Sequence, residues 1–202
     1  LKEYEAALYA YDNYARSSQD LELIELSRFR LCQCAYNLTI NYRKDQTATD
    51  DAIDKIEIFL EDYPQSQYSL ELLVLKSELK YKLAKKEYEA AILYIKLQEY
   101  KSALVYLSDI LNNYTLINMV VSSDVLVDKY NDLLRILLDD TRIMILYSYI
   151  LDGRNGMAEE FYKLQANNFY DIKSKNKAAQ LVEYDQLGRL DTWKDIYFGI
   201  SK

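Results

Sequence analysis

The sequence predicts an all-α protein: a right-handed superhelical solenoid of antiparallel helix pairs running through residues 1–202. Three observations carry that reading. Four glycines and one proline are too few for a protein of many short strands, which needs turn residues often. Half of the residues are hydrophobic, enough for a continuous core and too many for a disordered chain. Small residues recur among bulky ones at a spacing that drifts from copy to copy, as in an irregular stack of helix pairs. The clearer repeats fall in residues 1–114, and residues 115–202 read as divergent repeats with a cap.

The clearest copy is "EYEAAILYIKLQEYKSALVYL", from Glu87 to Leu107. Ala91 and Ala103 stand twelve residues apart, with Tyr94 three after the first and Tyr100 three before the second. Leu107 and Ile110 then follow Ala103 at helical spacing. Small residues at the eighth and twentieth places of a 34-residue unit, with aromatic or apolar residues between, form the tetratricopeptide (TPR) pattern. Ala84 to Ile117 resembles one such unit. The alanines mark where two antiparallel helices come closest, and the tyrosines and leucines fill the space beside them.

The other elements are looser. "YEAALYAYDNY" repeats the second-helix pattern around Ala7, and the chain opens at Leu1 inside that pattern, as a repeat whose first helix lies outside. Leu23 to Leu38 is the next first helix, followed by "NYRKDQTATD", a longer polar connection than a regular TPR allows. The second helix comes after it, around Ala52, and ends at Pro64, which cannot continue a helix interior. Leu70 to Leu97 is periodic without a break and predicts one long helix. Asp124 to Leu138 predicts a separate amphipathic helix, and "IMILYSYIL" a buried one ending at Leu151. Gly156 to Tyr170 copies the second helix around Ala158. A last pair follows, with Trp193 as its largest anchor.

Composition excludes several function classes. A net charge of −7 disfavours nucleic acid, whose phosphates need a basic face. The chain has no histidine, so the commonest general base and most catalytic zinc sites are missing. Its acidic residues are scattered over solvated helix faces. An enzyme is not expected, and neither is a cofactor or metal. Cys32 and Cys34, two apart on a helix, point to different sides and make a poor disulfide, so they read as small packing residues. The longest apolar run is about half of the roughly 20 residues that span a bilayer.

The middle of the chain resembles a known family. "DQTATDDAIDKIEIFLEDYPQSQYSLELLVLKSELKYKLAKKEYEAAILYIKLQEYKSALVYLSDILNNY", from Asp45 to Tyr114, is similar to the BamD family of TPR-like lipoproteins of the outer-membrane β-barrel assembly machinery. Three ordered segments carry the resemblance: Ala52 to Pro64 with Ser66, Leu79 to Glu87, and Tyr94, Tyr100 and Ala103. It is strong over about a third of the chain and only architectural from Leu116 onward. It implies a scaffold at the periplasmic face of the outer membrane, held by an N-terminal lipid anchor absent from this chain. The implied partners are the POTRA domains of BamA, other assembly-machinery subunits, and the C-terminal strand signal of unfolded outer-membrane proteins. Tyr106 departs from the family, many members of which carry an arginine there.

Candidate binding residues follow from TPR geometry, in which first helices line the concave groove. Phe29, Gln33, Tyr36 and Asn37 are expected to meet an extended peptide there, with amide side chains bonding its backbone. Tyr94, Tyr100 and Tyr106 read as seam residues, and Trp193 as a possible partner contact at the last pair. TPRs that clamp C-terminal carboxylates use Lys and Asn where this chain has Tyr88 and Ile92, which argues against that clamp. The alternative to an assembly scaffold is another TPR interaction module of the cell envelope.

Overall fold

A computed structural model describes residues 2–114 and 125–198, and every element in them is a helix. In chain order these are α1 (Lys2–Ser17), α2 (Leu21–Leu38), α3 (Thr47–Asp62), α4 (Ser69–Lys96), α5 (Tyr100–Asn113), α6 (Val125–Leu151), α7 (Asn155–Gln165), α8 (Ile172–Gln186) and α9 (Leu190–Phe198). Ile117 and Asp124, which bounded two of the expected segments, lie outside the described residues.

Contacts group the chain into two units. One runs to Lys86 and takes in the start of α6 as far as Asn131; the other holds the chain from Glu87 through α5 and from Asp132 onward. In the first, α1 packs on α2 and α2 on α3. Its core joins Phe29, Cys32 and Ala35 of α2 to Ala52, Ile56 and Phe59 of α3 and to Leu72 and Leu79 of α4. The spacing of these residues at three and four puts them on one helix face each. Asp20 starts α2 by accepting the backbone N–H groups of Glu22 and Leu23.

In the second unit three turns are built alike. The N–H of Glu99 reaches back to the carbonyl of Tyr94 at 2.9 Å, Arg154 to Tyr149 at 2.8 Å, and Arg189 to Tyr184 at 2.7 Å. One residue earlier, Gln98, Gly153 and Gly188 bond Ile95, Ile150 and Asp185, all three in the left-handed region with φ of 63°, 73° and 66°. This is the Schellman way of ending a helix, in which a left-handed residue lets the last carbonyls find donors. The shared turn makes Ala91, Leu146 and Leu181 equivalent on the first helix of each pair. Ala103, Ala158 and Trp193 are equivalent on the second, and all six are buried.

The two helices expected around residues 124–138 and 143–151 are one, α6. The polar run Asp139–Asp140–Thr141–Arg142 breaks the apolar pattern but not the helix, because tertiary partners satisfy it. The Asp139 carboxylate accepts the N–H groups of Tyr170 at 3.0 Å and Asp171 at 2.9 Å, and Arg142 at 3.2 Å. Thr141 bonds the carbonyl of Leu137 one turn back.

Candidate protein-interaction surfaces

The α2–α4 face of the first unit carries three of the four residues expected to meet a peptide. Gln33 receives Arg30 at 2.7 Å on its carbonyl oxygen and donates its amide to Glu71. Asn37, one turn on and exposed, donates to the Gln33 carbonyl at 2.7 Å. Tyr36 is half-buried beside Glu78, whose carboxylate takes the hydroxyls of both Tyr36 and Tyr130, the latter at 2.7 Å. Burial, helped by that carboxylate, pushes the Tyr36 phenol up to about 12. The result is a strip of amides, carboxylates and phenols already ordered by mutual hydrogen bonds. Such groups can exchange one another for the backbone of an extended chain at little ordering cost.

Phe29 is not part of that strip. It is 3% exposed, stacked on Tyr68 and tilted against Phe59. On a helix three to four residues separate one face from its repeat, so Gln33 and Asn37 share a stripe, and Phe29 falls at its inner edge, where α3 and α4 cover it. Groove lining is corrected to core for this residue.

Sequence reasoning missed a second feature, a cleft of about 380 Å³ among α1, α2 and α3. Leu8, Leu31, Ile58 and Phe59 give it apolar walls. Asp12 stands at its mouth, paired with Arg16 at 2.7 Å and Arg28 at 3.4 Å. Cys32 lies in its lining, donating to the Lys55 carbonyl at 3.3 Å, and burial pushes the thiol up to about 12. A thiol so protonated is a packing group. Cys34 is also free and buried. The only sequence signal for this cleft is charge beside apolar residues on α1 and α2, which any amphipathic helix shows.

In the second unit Trp193 is fully buried, with Tyr147 5.8 Å away ring to ring and its Nε1 donating to the Lys177 carbonyl at 3.3 Å. A surface contact to a partner is therefore corrected to a core anchor, since a buried indole has no face left to offer. Tyr94 and Tyr106 stack at 5.4 Å, the half-buried Tyr100 begins α5, and Ala158 is buried in α7. Of the alanines read as close contacts, Ala52, Ala91 and Ala103 have no exposed surface, whereas Ala7 is half-buried and Ala15 is the buried alanine of α1. Among the described residues no cluster of carboxylates and thiols is arranged to hold a metal ion.

Paired helices, repeated Schellman turns and tyrosine-lined seams define an all-helical repeat protein of the TPR-like class. The family model of the YfiO outer membrane lipoproteins matches residues 2–142, and the chain belongs to that family. The match supports, at the level of the family, the resemblance carried by Asp45 to Tyr114, and places the protein in the cell envelope. No curated protein matches the chain. No helix of the described residues is long and apolar enough to cross a membrane.

Proposed function

We propose that this protein is a non-enzymatic scaffold in the assembly and insertion of β-barrel proteins into the outer membrane. The observation that carries the reading is the family match across residues 2–142. In this reading the chain acts as one solenoid at the periplasmic face, tethered through an N-terminal lipid anchor. Residues 1–114 meet the C-terminal strand signal of unfolded outer-membrane proteins, using Gln33, Tyr36 and Asn37. Residues 115–202 hold the POTRA domains of BamA. The ordered amide strip of α2 supports the first role, because an extended strand offers the backbone groups that such amides bond.

Calorimetry with the full chain tests both contacts. Saturable binding of the POTRA domains is expected, as is binding of a peptide copied from the last strand of an outer-membrane barrel. Gln33→Ala with Asn37→Ala should weaken the peptide several-fold and leave the POTRA contact unchanged. A second reading, a TPR module of the envelope serving other partners, draws on the position of α7–α9 beyond the matched residues. Failure of a folded chain to bind either ligand would favour it.

A further inference from the structure

The α2–α3 connection, residues 39–46, is held in place without a core of its own. The buried Gln46 points its Nε2 at the carbonyls of Asn41, Lys44 and Asp45, each at 3.1 Å, while its Oε1 accepts the Thr49 hydroxyl at 2.8 Å. Asn41 accepts the N–H of Arg43, and Asp45 that of Thr47, both at 3.0 Å. From α4, Lys82 donates to the Thr39 hydroxyl at 2.7 Å and Lys86 to the Lys44 carbonyl at 2.8 Å. Those acceptors are neutral, so the two ammonium groups order the loop without an ion pair in these bonds; burial draws the Lys82 pKa down, and the nearby Glu78 carboxylate opposes that.

The same loop gathers positive charge on an acidic protein. Lys85 and Arg43 lie 4.9 and 5.4 Å from the ring of Tyr42. With Lys44, Lys82 and Lys86 they make five cations around one ordered connection, in a chain of net charge −7. Asp45 and Asp50 lie near Lys86, and Glu78 near Lys82. Asp45 is bonded to Thr47, and Glu78 takes two tyrosine hydroxyls.

We infer that this loop docks on anionic phospholipid headgroups. An aromatic ring set among Lys and Arg is the composition of a membrane-interface anchor, the ring at headgroup depth and the cations on phosphate. The chain belongs to a family of outer membrane lipoproteins, so a lipid surface lies within its reach. An acidic protein segment would satisfy the cations; a bilayer interface suits the cations and the aromatic ring together. Each Lys or Arg near an anionic surface contributes about 1 kcal/mol, or roughly fivefold in binding. Several held in one place contribute without a further ordering cost. The inference stands apart from the partner contacts proposed above.

Co-sedimentation of the full chain with vesicles tests it. The parent should bind vesicles of equal parts phosphatidylglycerol and phosphatidylcholine, weaken as salt is raised, and ignore pure phosphatidylcholine. Arg43→Ser with Lys44→Ser should lower that binding about 30-fold, at roughly fivefold per cation, with an unchanged melting temperature. Lys101→Ser with Lys163→Ser, which removes the same charge from exposed sites on α5 and α7, should bind as the parent does. Equal losses in the two double variants would reduce the effect to net charge and overturn the inference. So would parental binding by the loop variant, equal binding of neutral vesicles, or binding of a polyglutamate peptide with none of vesicles.

Discussion

The ring of Phe29 lies 4.2 Å from that of Tyr68, with 12° between their planes, so the end of the α3–α4 loop is pinned to the middle of α2. Offset stacking of this kind adds about 0.5–1.5 kcal/mol to the burial of the rings themselves. Phe29→Ala should cost about 3–5 kcal/mol, as truncation of a buried phenylalanine does. Tyr68→Ala should cost less, because Tyr68 is only half-buried. Urea unfolding of both variants and their double mutant would measure the coupling. A fully stable Phe29→Ala protein would return this residue to the surface.

Gln98 sits where the two matching turns have glycine. A side chain in the left-handed region costs about 1–2 kcal/mol, because its Cβ crowds the following carbonyl. Gln98→Gly should therefore stabilise the protein, less the entropy that glycine adds to the unfolded chain, for a net gain of about 0.5–1 kcal/mol. Gly188→Gln should lose a similar amount, although a Cβ there meets nothing within 4 Å. Opposite shifts in the two melting temperatures are the expected result.

Asp139 and Arg142 form a buried pair, the side chains 1% and 9% exposed. Removing one partner strands the other charge, so Asp139→Ala should cost about 3–5 kcal/mol. It would also free the N–H groups of Tyr170 and Asp171 at the start of α8. Replacing both charges, with Asp139→Leu and Arg142→Met, should recover the part of the loss due to the stranded charge and not the part due to the two freed N–H groups. Denaturant midpoints of the three proteins would check this.

Alkaline pH should weaken the fold. Burial raises Cys32 from 9.0 to about 12 and Tyr36 from 10.0 to about 12, and it raises Tyr88 and Tyr130 as well. Between the ordinary and raised values the unfolded chain has given up protons that the folded chain keeps. Stability is therefore complete below pH 9 and falls as pH climbs towards 12. Denaturant midpoints at pH 8 and above pH 10 would show the decline. Tyr36→Phe should decline less steeply, because it removes one of the groups that drive it.

The sequence was most legible where one local pattern decided the outcome. Ala52, Ile56 and Phe59 on α3, and the unbroken periodicity of α4, follow from helical spacing alone. It was least legible where a distant partner decided. Nothing near Asp139 announces the backbone of residues 170 and 171, so α6 read as two helices. Phe29 and Gln33 are four apart on one helix, and only the positions of α3 and α4 separate core from surface between them. Trp193 was read correctly as an anchor but not as an inaccessible one. The family was legible in ordered motifs, whereas the cleft behind Cys32 needed three helices assembled before it existed.

Repeat proteins risk pairing the wrong helices, because neighbouring units resemble one another. The three equivalent positions on each side guard against that error here. Across the shared turn Ala91 corresponds to Ala103, Leu146 to Ala158 and Leu181 to Trp193, so the buried side chains at these positions differ in size from one pair to the next. Seating α8 against α5 would leave a void where the indole belongs, and seating α9 against α4 would give Trp193 an alanine in place of a leucine. Voids of that size cost several kcal/mol. Sizes graded from one pair to the next thus act as a key for each helix, and folding fidelity is written into the same few buried side chains that hold the pairs together.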